Sequence, residues 1–273
     1  MRRKGGARTR VEGWRKIAAA TWGHPHDPQI FGDMDVEASA LLDYIAEARR
    51  ASGQRVTVTH AVGKALAYAF GQNEDLNVRL HRGHFIQRDS IDVFFIVSAE
   101  RGRELSGVKV SGADDKSVID IARELSQRAD RIRTGEDVEF GKTKRMFART
   151  PRRLLNIGFR VAAWLTTDLN LDLKQYGLPA QPFGTVMITS VGMFGIQHAY
   201  APLASYYRVP MILLVGEVDR RPTLVDGELT DQPVLPLSAT LDHRYLDGNH
   251  AARLARSIRE YLEDPKRFEP APS

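Results

Sequence analysis

The chain has 273 residues, 42% of them hydrophobic and 27% charged, with a formal net charge of +5 and no cysteine. That length buries a large core as one big domain or two small ones. Without cysteine, disulfides, Cys-ligated metals and an acyl thioester on the enzyme itself are excluded. No apolar run approaches the roughly 20 residues of a membrane-spanning helix. The basic start, Met1 to Gly6, has no apolar stretch behind it, so no secretory signal is expected and the cytoplasm is the default compartment.

In chain order, Trp14 to Trp22 reads as a short helix and Gln29 to Val36 as extended. Ala38 to Ala51 is helical, with Leu41, Leu42, Ile45 and Ala48 on one face. Thr59 is the expected N-cap of a helix from His60 to Gln72 whose stripe is Ala61, Ala65, Leu66, Ala69 and Phe70. Arg79 to Arg88 suggests a hairpin around Arg82-Gly83. Ile91 to Val97 is a strand buried on both faces for most of its length, and Leu105 to Val110 is another. Ser117 caps a helix with Val118, Ile121, Leu125, Ala129 and Ile132 inward.

Pro151 to Leu165 is a further helix, with proline at a tolerated early position. Gly184 to Ser190 and Met211 to Val218 are apolar strands. Asp226-Gly227 marks a hairpin across Leu224 to Leu229. Val234 to Leu241 is the last strand and Ala251 to Leu262 the closing helix. Strands and helices mix without strict alternation, which predicts a mixed sheet covered by helices in two layers.

The charge is uneven. Seven cations and no acid lie between Lys142 and Arg160, and the first ten residues hold five more, so the rest of the chain is net acidic. A nucleic-acid binder needs a basic face on the folded body, and none is expected. His24, His26 and Asp27, or His81 with His84, lack the spacing and third ligand of a metal site. Ile188 to Gly192 is half of a Gly-x-Ser-x-Gly elbow, but Ile stands at the first glycine, which argues against a hydrolase.

The most informative stretch is Leu241-Asp242-His243-Arg244-Tyr245-Leu246-Asp247-Gly248-Asn249. Histidine removes protons near neutral pH, and here it sits at a strand-to-helix junction. Asp247 can fix the local geometry, and Gly248 suits a turn that a side chain would obstruct. His250 reads as a polar first-turn residue of the helix.

Several stretches, in order, resemble the catalytic domain of the dihydrolipoyl acyltransferases of 2-oxoacid dehydrogenase complexes, in the superfamily of chloramphenicol acetyltransferase. They are Gly13 to Ala18, Val56 to Thr59 with Lys64 to Ala67, Leu76-Asn77, the helix from Ser117 to Ala129, Thr189 to Gly195, Gly216, and Asp242-His243-Arg244 with Asp247-Gly248. The resemblance implies a chloramphenicol acetyltransferase-like α/β fold, a homotrimer, and active sites between subunits. It implies coenzyme A as acyl carrier, no metal, and His243 as general base on a thiol of coenzyme A or of a dihydrolipoyl group. The oxyanion donor falls at Thr189, where relatives carry Ser; Ser190 is the alternative, with Gly192 in the same loop. Asp247 matches a carboxylate paired with an N-terminal arginine, for which Arg15 is the candidate, and Gly248 completes the site structurally.

Residues 1–10 then form a basic tail, 11–265 one catalytic domain with a longer helical insertion at 140–182, and 266–273 a polar C-terminal tail. Lipoyl groups are expected from a separate partner protein, and an isolated trimer rather than a cage. In the insertion, Phe147, Leu154, Leu155, Ile157, Phe159, Val161, Trp164 and Leu165 surround much of the helix. This favours packing on the sheet or between subunits over attraction to coenzyme A phosphates or an acidic partner, and membrane contact is not expected. An acceptor with a small-molecule hydroxyl or amine, or a non-catalytic trimeric scaffold of this fold, are the alternative functions.

Overall fold

The computed structural model describes residues 27–81, 83–99, 104–133, 152–173, 179–204, 208–225 and 227–271. The helix expected at Trp14 to Trp22, Arg15, His24 and His26, and the cations from Lys142 to Arg149 lie outside them, as do the side chains of Ala129 and Ile132.

Seven strands form one mixed sheet: β1 (Gln29–Glu37), β4 (Val93–Ala99), β5 (Glu104–Val110), β6 (Val186–Ser190), β7 (Met211–Val215), β8 (Asp219–Val225) and β9 (Glu228–Asp242). The order is β1-β9-β7-β6-β4-β5, with β8 paired to β9. The β4–β6 and β6–β7 ladders are parallel and the others antiparallel. A two-stranded hairpin, β2 (Val78–His81) with β3 (His84–Gln87), stands apart, within the expected span of Arg79 to Arg88 apart from its first residue.

Alternation along the central strands sets the layers. Val186, Ile188, Met211, Leu213, Val215, Leu235 and Leu237 face the main core, where they meet α1 (Ser39–Ser52), α2 (Val58–Gly71), α3 (Val118–Arg133) and α5 (Gly248–Glu263). Met187, Ile212 and Leu214 point the other way, into a smaller cluster with Val209, Phe94 and Phe183. The helix α2 lies unusually close to the sheet: a Cβ at Gly63 would come within 2.3 Å of the Phe95 ring.

Two boundaries differ from expectation. The N-cap of α2 is Thr57, whose side chain accepts from His60 N at 3.4 Å while His60 Nδ1 accepts from Thr57 N at 3.3 Å. The reciprocal pair satisfies two donors where Thr59 would satisfy one, so the helix starts earlier. At the other end, Phe268 and Glu269, assigned to a tail by sequence, pack on the body. Phe268 stacks on Tyr261 at 5.3 Å, and the buried Glu269 accepts from Val118 N at 2.9 Å and from the hydroxyls of Tyr44 and Tyr261.

The insertion supplies α4 (Arg152–Ala163), which runs on into a π-helical turn, Trp164–Asp168. Ala163, Thr166 and Thr167 are buried beneath it. Of its apolar residues, Phe159 and Leu165 are half-buried, while Leu154, Ile157, Val161 and Trp164 are exposed in the single chain.

Candidate active site

The His243 segment is built by the end of β9. Asp242 N still bonds Pro210 O, and His243 N bonds Pro28 O at 2.8 Å, so the backbone is held on two sides up to the histidine. The chain then turns, with Tyr245 N and Leu246 N both donating to Asp242 O. Tyr245 is buried and its hydroxyl accepts from Leu80 N at 3.2 Å, which ties the turn to β2. Burial raises the Tyr245 pKa, keeping it a neutral hydroxyl. His243 itself is exposed.

Sequence reasoning passed over the brace around the histidine. Asp242 is buried and accepts from Arg244 N at 3.0 Å, from Arg244 Nε at 2.9 and 3.1 Å, and from Arg244 Nη2 at 2.5 Å. The two residues flanking His243 thus close a charge-assisted fork that fixes the turn carrying the imidazole. A cavity of about 370 Å³ opens beside this brace, lined by Asp27, Pro28, Gln29, Leu203, Arg208, Asp242 and Arg244. Arg208, another residue without a sequence signal, takes a positive φ of 55° and pairs with Asp168 at 3.2 Å.

Asp247 is the N-cap of α5. Its carboxylate accepts from His250 N at 3.0 Å, and His250 Nδ1 accepts from Asp247 N at 3.2 Å. That backbone bond, with a smaller effect of the nearby His250 and His243, holds the Asp247 carboxyl below the usual range. The first-turn histidine therefore works as half of a capping box. Arg15, the expected partner of Asp247, lies outside the described residues. Gly248 departs from its expected reason: it is the first residue of α5, its φ is not positive, and a Cβ there would meet nothing within 4 Å. The chain's own turn does not demand glycine at this point.

Thr189 and Ser190 point to opposite faces of β6. Thr189 shares the face of Met187, away from the main helices, and is partly buried. Ser190 shares the face of Ile188, and its Oγ lies 3.5 Å from Val215 O. The loop beyond is tightly seated. A Cβ at Gly192 would fall 2.5 Å from Gly216 O, and one at Gly216 would fall 2.0 Å from Gln197 O. Past it, Met193 and Phe194 are 70% and 60% exposed.

Within one chain these two halves do not meet. Thr189 is level with Leu214 of β7, and Leu214 with Ser238 of β9, while His243 lies five residues further along that strand. Strand geometry puts the two about 16 Å apart along the sheet and about 10 Å across it.

A mixed sheet with its helices on one face, and a braced histidine between the last strand and the last helix, defines a chloramphenicol acetyltransferase-like acyltransferase fold. The chloramphenicol acetyltransferase structure itself superposes with a TM-score of 0.50 at 13% identity, over 86% of this chain and 89% of that one. The chain belongs to the family of 2-oxoacid dehydrogenases acyltransferase (catalytic domain), whose profile matches residues 6–138 and 181–269. Among solved structures, a probable dihydrolipoamide acetyltransferase from Listeria monocytogenes superposes with a TM-score of 0.66 at 21% identity, covering 98% of each chain. In sequence, the dihydrolipoyllysine-residue acetyltransferase component of the pyruvate dehydrogenase complex of Zymomonas mobilis is 25% identical over 245 residues. That match covers 87% of this chain and 45% of the relative, so the chain spans about half the length of the curated protein it resembles.

Proposed function

We propose that the protein transfers an acyl group between coenzyme A and a dihydrolipoyl thiol, in a site completed by a second copy of the chain. The observation that carries the reading is His243, exposed at a strand end yet locked in place on both sides by the Asp242–Arg244 fork. In this role the imidazole takes the proton of the attacking thiol, and the thiolate adds to the thioester carbonyl. Thr189 donates its hydroxyl to the tetrahedral oxyanion. Collapse expels the other sulfur as thiolate, which takes the proton back from the imidazolium. The dihydrolipoyl thiol is the second substrate.

The separation of His243 from Thr189 supports a site shared between copies, as does the exposure of large apolar side chains beside each half: Phe31 on β1, and Met193, Phe194 and Ile196 after β6. Three copies related by a closed rotation repeat the same heterologous contact and give three equivalent sites. The test follows acetyl transfer from acetyl-CoA to dihydrolipoamide by chromatography of free coenzyme A and the acetylated product. Wild type is expected to turn over and His243→Ala to lose about 10²- to 10⁴-fold. Equal rates would remove His243 from the chemistry, and transfer only to alcohols or amines would replace the acceptor.

A further inference from the structure

Among the described residues three non-glycine residues carry a positive φ: Asn170 at 53°, Gln181 at 44° and Arg208 at 55°. A side chain makes that left-handed backbone costly, and such outliers persist only where their surroundings hold them. Here all three belong to one network. Gln181 Nε2 donates to Asn170 Oδ1 at 2.7 Å. The buried Arg88 donates through Nη1 to Gln181 Oε1 and through Nη2 to Arg208 O at 3.0 Å. Arg208 Nη2 in turn donates to Asp168 Oδ2 at 3.2 Å. Asp168 and Asn170 lie in the stretch 139–180, between the two blocks matched by the family, whereas Arg88, Gln181 and Arg208 lie inside those blocks. The strained backbone therefore sits at the seam between the insertion and the body.

From that seam two chains of contacts reach the turn that carries His243, one on each side of it. On the first, Arg208 is followed by the buried Val209 and by Pro210, whose carbonyl accepts from Asp242 N at 2.9 Å. On the second, Arg79 Nη1 donates to the carbonyls of Thr167 and Asp168 at 3.0 and 2.8 Å. The next residue, Leu80, donates its N–H to the Tyr245 hydroxyl. Arg88 ties the two together, because its Nε also donates to Val78 O at 3.2 Å. The Asp168 side chain is only 14% exposed, so its pairing with Arg208 is screened less than a surface ion pair. We propose that Asp168 is a positioning residue of the transfer reaction. Its carboxylate on Arg208 and its carbonyl on Arg79 fix the backbone before and after His243, and so aim the imidazole. The proposal rests on the role given to His243 above. Asp168 acts through Arg208, Pro210 and Asp242, not on the reacting atoms.

Acetyl transfer and amide hydrogen exchange, both on the full chain, test this together. Asp168→Ala is expected to lower kcat by about tenfold or more with KM within about twofold, since a small misplacement of an aimed group suffices for that loss. Exchange should quicken in the peptide spanning 240–247 and stay at the wild-type rate in β8 and α1. Asp168→Asn, which still accepts from Arg208, should restore most of the rate. Arg208→Gly, which suits the left-handed backbone, should cost little more when added to Asp168→Ala. Wild-type kcat, or wild-type exchange at 240–247, in Asp168→Ala would overturn the proposal. So would a rise in KM alone, which marks lost binding, or faster exchange throughout the chain, which marks a general loss of stability. A wild type without transfer activity would overturn the proposed function and this inference with it, a result distinct from an unchanged kcat in an active protein.

Discussion

Thr189 and His243 stand on strands separated by β7, with His243 five residues beyond the level of Thr189 in the ladder. Neither side chain spans that gap, so under the proposed mechanism the carbonyl between them is reached from two copies of the chain. The register of three strands, all paired by ordinary backbone bonds, carries this relationship.

The face each hydroxyl occupies separates the two oxyanion candidates. Ser190 points into the main core side with Val215 O as neighbour, whereas Thr189 points to the face away from those helices. Thr189→Val is expected to lower kcat by about 10²- to 10³-fold with KM little changed, the loss typical of one oxyanion donor. Thr189→Ser should keep or raise the rate, since removing the β-methyl frees χ1. Ser190→Ala should stay near wild type. Steady-state kinetics on the three variants checks this, and the opposite order would transfer the role to Ser190.

Arg244→Ala removes the partner of a buried carboxylate. The lost charge-assisted bonds and the stranded Asp242 should together cost about 2 kcal/mol of stability, a fall of roughly 5 °C in thermal midpoint for a domain of this size. Catalysis should drop further than folding does, because the turn that aims His243 loosens. Scanning calorimetry and rates measured at 20 °C separate the two effects. An unchanged midpoint would mean that the brace does not stabilise the fold.

Glycine is required at some points of the site and not at others. Gly192→Ala and Gly216→Ala each drive a methyl into backbone carbonyl oxygen and should displace the loop after Thr189, lowering both stability and activity. Gly248→Ala meets open space and should leave the thermal midpoint within about 1 °C, alanine being a good helix former. Should it nevertheless lose activity, that space is used by substrate or by a neighbouring copy.

The capping histidine of α2 makes stability depend on pH. Burial, aided by the charges of Arg55 and Arg49, lowers the His60 pKa to about 4. The neutral ring is the one the fold favours, and its Nδ1 accepts the bond from Thr57 N. An unfolded chain protonates His60 near pH 6.5, so its contribution is fully present above that pH and is lost as pH falls towards 4. His60→Gln, which preserves the capping box, should flatten the acid-side slope of urea midpoints between pH 6.5 and 4. An unchanged slope would assign the acid sensitivity elsewhere.

Much of the fold was legible because it rests on runs of apolar residues with a clear period. Val186 to Ser190 and Met211 to Val215 are strands at the expected places, and the stripe of α2 is buried as read. The long β9 was not legible as one strand. Its first half, Glu228 to Val234, pairs with β8, and Leu224 and Leu229 there are 71% and 75% exposed, so no burial pattern marks it. His243 and Thr189 stood out as motif positions, but their distance is a property of register, which no spacing in sequence reveals. The Asp242–Arg244 fork hid inside a polar run. For α4, periodicity announced an apolar face without saying which way it turns.

Mixed assemblies put the shared site to its most direct test. His243→Ala and Thr189→Val chains, each nearly inactive alone, are unfolded together and refolded in equal amounts, and acetyl transfer is measured. If each site takes its histidine from one copy and its threonine from the next, about a quarter of the sites recover both groups, and activity should return to about that fraction of wild type. A mixture no more active than the two variants refolded separately would contradict the account.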